Sequence, residues 1–414
     1  MLRNYLLTVG LIAVLSGCAT APPPEPAKPA PIAAATPTSS PLPTPLPPAK
    51  PLVRPAPPPP PPAASAQNYN NPRAGRALLE RLLPQGIPAR KGWSDNIFTA
   101  FTQLKIPYSP QYFCAVMAVA EQESSYNPDP VVPNLSGIVW KQIEEHRKKY
   151  LIPSLVVDAF LLKTSPDGRS YKERINALRT KRQMNLLYGD MIKELPYGQE
   201  MLANKNPIRD GGPMQVSVAF AQTQVRAWPY PYPYTNLRDE VFGFRGSVYF
   251  GTAILLQYAA PYKDMVYRFA DYNAGRFSSR NAAFQAAVGR LSGRRLALDG
   301  DLMLYSNKMN RVLSGKASDT QIALMALTDR LQMRQSDILR DLSQEKLASF
   351  EQTPLFQKVF SLADRQSGRR VPREMIPQIV LISPKITHHL TTEWFARKVD
   401  GRYRACLARG GFAP

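Results

Sequence analysis

Apolar positions first dominate from Leu6 to Leu15, behind the basic start Met-Leu-Arg-Asn-Tyr, and the run is too short to cross a bilayer as a permanent helix. From Ala21 to about Ala66 apolar periodicity disappears into Pro, Ala, Thr and Ser, with the run Pro57 to Pro62. Such a stretch has nothing to bury and reads as an extended tether, reaching on the order of 120 Å at about 3.1 Å per residue of polyproline II. Beyond residue 67 the pattern turns helical. Phe113, Val116, Met117 and Ala120 recur at three- and four-residue spacing and mark one buried helix face, whose next position is Glu123 before Asn127-Pro128 ends the helix. Further helical segments are expected over Ile143 to Tyr150, Leu151 to Leu162, Ile175 to Leu187, Leu302 to Leu313, Asp319 to Leu331 and Ser336 to Phe350. The tail around Val380 to Pro384 and Thr391 to Phe395 looks less regular. A mainly α fold follows.

The apolar start ends in Leu15-Ser16-Gly17-Cys18, which resembles the lipobox of bacterial lipoproteins. That resemblance implies a signal peptide over 1–17, a lipid on Cys18 and, with Ala rather than Asp at position 19, an outer-membrane anchor facing the periplasm of a Gram-negative cell. An ordinary cleaved signal with an incidental cysteine is the alternative. The remaining cysteines, Cys114 and Cys406, can pair as a disulfide in an oxidising compartment; two buried free thiols are the alternative.

The net charge of +21 sits almost wholly outside the tether, with clusters at Arg147 to Lys149, Arg179 to Arg182, Arg294-Arg295 and Arg369-Arg370. In a cytoplasmic chain this would argue for nucleic acid. An exported chain meets instead the anionic groups of the envelope, so no nucleic-acid partner is expected. His146, His388 and His389 lack ligand spacing and Gly-x-Ser-x-Gly is absent, so neither a metal, a cofactor nor a serine nucleophile is implied.

Three short words carry the chemistry: Gln-Glu-Ser-Ser-Tyr at 122–126, Gly-Pro-Met-Gln at 212–215 and Tyr-Asn-Ala-Gly at 272–275. Glu123, drawn toward an apolar wall, gains a raised pKa and can exchange a proton with a glycosidic oxygen; Glu121 projects elsewhere and is expected to be solvated. The glycine-rich turn at 211–215 offers backbone groups and an amide, and Tyr272 and Asn273 offer a phenol and a second amide.

Taken in order, these words resemble the soluble lytic transglycosylases, a lysozyme-like, mainly helical family, and Arg245 to Phe250 is similar to the helix preceding Tyr-Asn-Ala-Gly in that family. The resemblance implies Glu123 as the single acid/base and Ser124 as support for its loop. It also implies Gly212, Met214 and Gln215 as shapers of the cleft, with Tyr272 and Asn273 facing the acid and the glycan. The implied reaction cleaves the MurNAc–GlcNAc β-1,4 bond of peptidoglycan by closing the muramyl 6-hydroxyl onto C1. The implied partners are glycan strands and, at the wall, other cell-wall enzymes. Several features depart from that pattern: roughly ninety residues separate the first two words, Pro213 replaces a leucine, and Asp271 stands where a small apolar residue is usual. Asp271 as a second carboxylate would make the reaction a hydrolysis. A noncatalytic glycan-binding or scaffolding lipoprotein is the reading from another class. The organisation expected is a catalytic domain over 67–300 with a helical insertion at about 134–205, then a helical extension over 301–414. The aromatic run Trp228 to Tyr234 is either a sugar-stacking wall or a loop packed onto the body.

Overall fold

The computed structural model describes residues 71–194, 206–305, 316–381 and 390–413. Cys18, the tether, His388 and His389 lie outside the described residues. Seventeen α-helices, one 3-10 helix and two small two-stranded antiparallel sheets make up the elements described, which are mainly α as expected.

The helix bearing the acid, α3 (Pro110–Ser124), follows α1 (Pro72–Leu82) and α2 (Arg90–Leu104). Its start is fixed by Ser109, whose hydroxyl accepts from the Tyr112 N–H, and by Pro110 in the first turn. Every residue from Phe113 to Ala120 is buried, so α3 is the central rod of the fold rather than an amphipathic surface helix.

The segment between the first two sequence words folds as α4 (Leu135–Lys149), α5 (Ser154–Leu161), α6 (Tyr171–Asn176) and α7 (Lys181–Lys193). Its apolar residues, among them Val139, Ile143, Tyr171, Leu187 and Met191, join the same core as α3. It is therefore part of the body. Thr180 and Gln183 close a reciprocal capping box that sets the first residue of α7 at Lys181.

The hairpin of β1 (Asp210–Gly211) and β2 (Val216–Ser217) pairs Asp210 with Ser217 and leads into α8 (Val218–Ala227). Then come α9 (Leu237–Phe242), α10 (Phe244–Leu256), α11 (Met265–Ala274) and α12 (Ser278–Ser292). The aromatic run before α9 packs onto the body. Tyr230 stacks on Phe250 at 4.9 Å and gives its hydroxyl to Glu240 at 2.5 Å, and the Trp228 indole donates to the Gln103 carbonyl at 2.9 Å.

A second apolar core joins α12 to α13 (Asp319–Met325), α14 (Thr328–Leu331), α15 (Gln335–Leu342) and α16 (Pro354–Ser367), with Phe284 among Phe350, Phe356 and Phe360. Three of the segments expected as single helices are divided: Ile175 to Leu187 falls across the end of α6 and the start of α7, Asp319 to Leu331 gives α13 and α14, and Ser336 to Phe350 ends in a 3-10 turn, Ala348–Gln352. The larger correction lies in the tail. After the short β3 (Val380–Leu381) and β4 (Leu390–Thr391), the region expected to be irregular forms α17 (Thr392–Arg409), the longest described helix. Phe395, Ala396, Val399, Tyr403, Cys406 and Leu407 line one face of it and return to the first core, packed on α3 and α11. The packing therefore does not divide at residue 300: α12 belongs to the second core and α17 to the first.

Cys114 and Cys406 form a disulfide between α3 and α17, with Cα atoms 5.5 Å apart. Such bonds form and persist outside the reducing cytoplasm. Among the described residues no helix is long and apolar enough to cross a membrane.

Candidate active site

Glu123 sits in the last turn of α3, where the helix is stopped by two consecutive non-glycine residues in left-handed backbone, Ser125 at φ 49° and Tyr126 at φ 62°. That conformation is costly for residues with a Cβ and persists only where its surroundings hold it. Here the Tyr126 ring is buried edge-on against Trp93, whose indole N–H donates to the Tyr126 carbonyl at 2.8 Å. The sharp exit leaves the Glu123 carboxyl without a hydrogen bond among the described residues. Burial, the largest influence, pushes its pKa up to about 7; the Lys181 ammonium acts downward and the Asp210 carboxylate upward. The sequence reading of a raised, desolvated acid matches this arrangement. Glu121 instead pairs with Arg402 of α17 at 3.1 Å. It is tied to the tail while its side chain stays about a third exposed, at 35%.

The second word forms the turn of the hairpin. Gly212 has φ 70°, and a methyl on it would lie 2.5 Å from the Ser247 side chain and 2.7 Å from the Val241 carbonyl oxygen. Met214 is fully buried, its N–H donating to Ser247 Oγ at 3.0 Å, and its side chain lies where a methyl on Gly251 would be. Gly212→Ala should therefore cost about 2–4 kcal/mol, from left-handed strain plus overpacking, and lower the midpoint of chemical denaturation. An unchanged midpoint would show that the turn can shift at no cost.

Two expectations about polar groups are corrected. The Tyr272 hydroxyl donates to the Met214 carbonyl at 2.6 Å rather than to the acid. It pins the hairpin turn to α11 while remaining close enough to Glu123 that the carboxylate, after burial, adds to the upward shift of the phenol. Gln215, at φ 48°, has both ends of its amide engaged within the protein, accepting from Lys181 at 2.8 Å and donating to the Gly212 carbonyl at 2.9 Å. Ser124 bonds back to the Ala120 carbonyl at 2.9 Å, and Asn273 accepts from Thr392 Oγ1 at 2.7 Å at the start of α17. Asn273 is otherwise exposed.

Asp271 is 1% exposed and accepts from the Tyr258 and Tyr262 hydroxyls, at 3.0 and 2.8 Å, and from the Phe277 and Ser279 N–H groups, at 2.8 and 2.6 Å. Its oxygens are spent on fixing the link between α11 and α12. The groups that sequence reasoning missed are Lys181 and Asp210, which form an ion pair beside the turn. Nothing in the spacing places Lys181 next to residues 29 and 34 positions away. Among the described residues no group of His, Cys, Asp and Glu is arranged to hold a metal ion.

The helical body thus carries a half-buried acid, Glu123, electrostatically coupled to residues of a glycine-turn hairpin. The chain belongs to the DUF1615 family, proteins of unknown function, whose family model matches residues 86–409. It is similar to the Escherichia coli (strain K12) "Uncharacterized protein YaiW", 42% identical over 331 residues that cover 80% of this chain and 89% of the relative. No solved structure matches. The matched span takes in Glu123, Lys181, the hairpin, Tyr272 and both disulfide cysteines, so the helices between the first two words and the C-terminal helix are parts of the family's unit.

Proposed function

We propose that this protein is a peptidoglycan lytic transglycosylase with a lysozyme-like catalytic body, a carbon–oxygen lyase that works with one acid. The observation that carries the reading is Glu123: a desolvated carboxyl whose pKa is pushed up to about 7, without a hydrogen bond among the described residues and within electrostatic reach of the Tyr272 phenol, Lys181 and Asp210. A carboxylic acid poised near neutrality can be protonated when the glycosidic oxygen needs a proton and ionised when a hydroxyl must lose one. Glu123 gives its proton to the leaving oxygen as the C1–O bond breaks. The muramyl 6-hydroxyl then adds to C1 and its proton returns to Glu123. The engagement of Asp271 by four donors supports this one-acid scheme over hydrolysis.

The lipobox-like Leu15-Ser16-Gly17-Cys18, Ala19 and the proline-rich stretch support an outer-membrane lipoprotein whose tether reaches the wall, and the disulfide fits export. Incubated with isolated sacculi, the purified protein is expected to release muropeptides ending in 1,6-anhydroMurNAc, read by mass spectrometry. Reducing MurNAc ends would indicate a water-using muramidase. Binding to sacculi with no ends released would indicate a glycan-binding lipoprotein.

A further inference from the structure

The chemistry at Glu123 makes no use of the net charge of +21. Around the second core several basic side chains are neutralised: Arg334 and Arg340 pair with Asp337, Lys346 with Asp301 and Arg373 with Asp364. Three others are not. Arg330 of α14 and Lys358 and Arg365 of α16 have no carboxylate partner among the described residues. All three line one open cleft of about 430 Å³, with Gln332, Gln357 and Ser361 beside them. No carboxylate lines that cleft: Asp329 and Asp364, next to Arg330 and Arg365 in sequence, lie outside its wall, and Asp364 is taken by Arg373.

Neutral partners hold these cations in place, so their charge stays uncompensated. Lys358 donates to the Leu331 and Gln332 carbonyls, both at 3.0 Å, where α14 ends on Gln332 in left-handed backbone at φ 49°. Arg330 donates to the Leu291 carbonyl of α12 at 2.5 Å and to the Gln366 amide oxygen at 3.1 Å, and Arg365 donates to the Ser361 hydroxyl at 3.2 Å. One carboxylate would neutralise one of the three. A phosphomonoester carries about −1.5 to −2 charges at pH 7 and three strong acceptor oxygens, which two guanidinium forks and an ammonium can meet from different sides. The cleft also falls in the range of about 300–1,000 Å³ that small-molecule sites occupy, more than a bare ion needs. We propose that this cleft binds a phosphate group borne by a larger molecule, either a soluble phosphomonoester or a lipid headgroup. The site stands apart from Glu123 and does not depend on the transglycosylase reading.

The test uses the full chain with Cys18→Ser, which removes the thiol a lipid would occupy, so that only contacts of the folded body are read. Glucose 1-phosphate is titrated by calorimetry, with glucose and acetate as controls. Phosphatidylcholine vesicles with and without phosphatidic acid are tested by co-sedimentation. Saturable binding of glucose 1-phosphate assigns a soluble ligand; co-sedimentation only with the phosphatidic acid vesicles assigns a lipid headgroup. In whichever arm binds, Arg365→Gln should weaken binding about tenfold, the loss of one charge-assisted hydrogen bond, and Lys358→Gln added to it should weaken binding further. Arg365 bonds only the Ser361 hydroxyl, so the melting temperature of Arg365→Gln should match the parent and its lost affinity cannot come from unfolding. Lys91→Gln removes one exposed charge from α2 and should leave binding unchanged. Binding in neither arm, acetate binding as well as the phosphate, full affinity in Arg365→Gln, or an equal loss in Lys91→Gln would each overturn the proposal.

Discussion

Glu123→Gln is expected to lower the release of anhydro ends about 10²–10⁴-fold, the usual worth of a positioned acid, with the fold intact. The amide keeps the shape of the side chain and has no proton of comparable acidity to give. On the proposed mechanism the same carboxyl is expected to set the pH dependence of the wild-type rate. The leaving oxygen needs the protonated form, so release should fall as pH rises through about 7. Stability moves with the same sign. The pKa is higher in the folded state, so the cost of burying the charge is absent below the unfolded carboxyl value. It accumulates as pH climbs toward 7 and is present in full above it. Glu123→Gln, which has no charge to bury, should therefore gain on the order of 1–3 kcal/mol over wild type at pH 8 and little at pH 4. Melting curves of both proteins at the two pH values read this directly. A variant as active as wild type would remove Glu123 from the chemistry, and one equally stable relative to wild type at both pH values would show the carboxyl to be solvated.

Replacing Cys114 and Cys406 by serine should destabilise the protein by about 2–5 kcal/mol, a large share of the stability of an ordinary domain. The bond closes a separation of 292 residues and holds α17 against the helix that carries the acid. Beside it, Arg402 pairs with Glu121, and Thr392 at the start of α17 bonds Asn273. Losing the bond thus loosens the frame that sets α3 against α11, and the rate should fall along with the melting temperature. Thermal melts with and without reductant supply the control: reductant should bring the wild type down toward the double serine variant and leave the variant unmoved. Identical melting of the two proteins would mean that helix packing alone holds the tail.

Much of the candidate site was legible because its parts are local. The stripe Phe113, Val116, Met117, Ala120 aims Glu123 at the rim of the core, since residues three and four apart share a helix face. Gly212 and Met214 announced a tight turn with a buried side chain, and both hold. What failed was the pairing of polar groups. A phenol next to an acid motif reads as the acid's partner, yet the Tyr272 hydroxyl goes to a backbone carbonyl, because a buried carbonyl at the turn needs a donor. Helix α17 was missed because its charged residues dilute an apolar face that is nonetheless regular from Phe395 to Leu407.

By itself the sequence determined the mainly helical class, the acid and its desolvation, the glycine turn, and the two cysteines available to pair, because each follows from periodicity, backbone sterics or thiol chemistry acting over a few residues. The tertiary structure alone decided that Lys181 and Asp210 meet beside the turn, that Asp271 is spent on a helix junction, and that the last helix braces the first motif. These outcomes depend on which distant surfaces bury one another. A hydrogen bond or ion pair across such a contact has no period in the chain to reveal it.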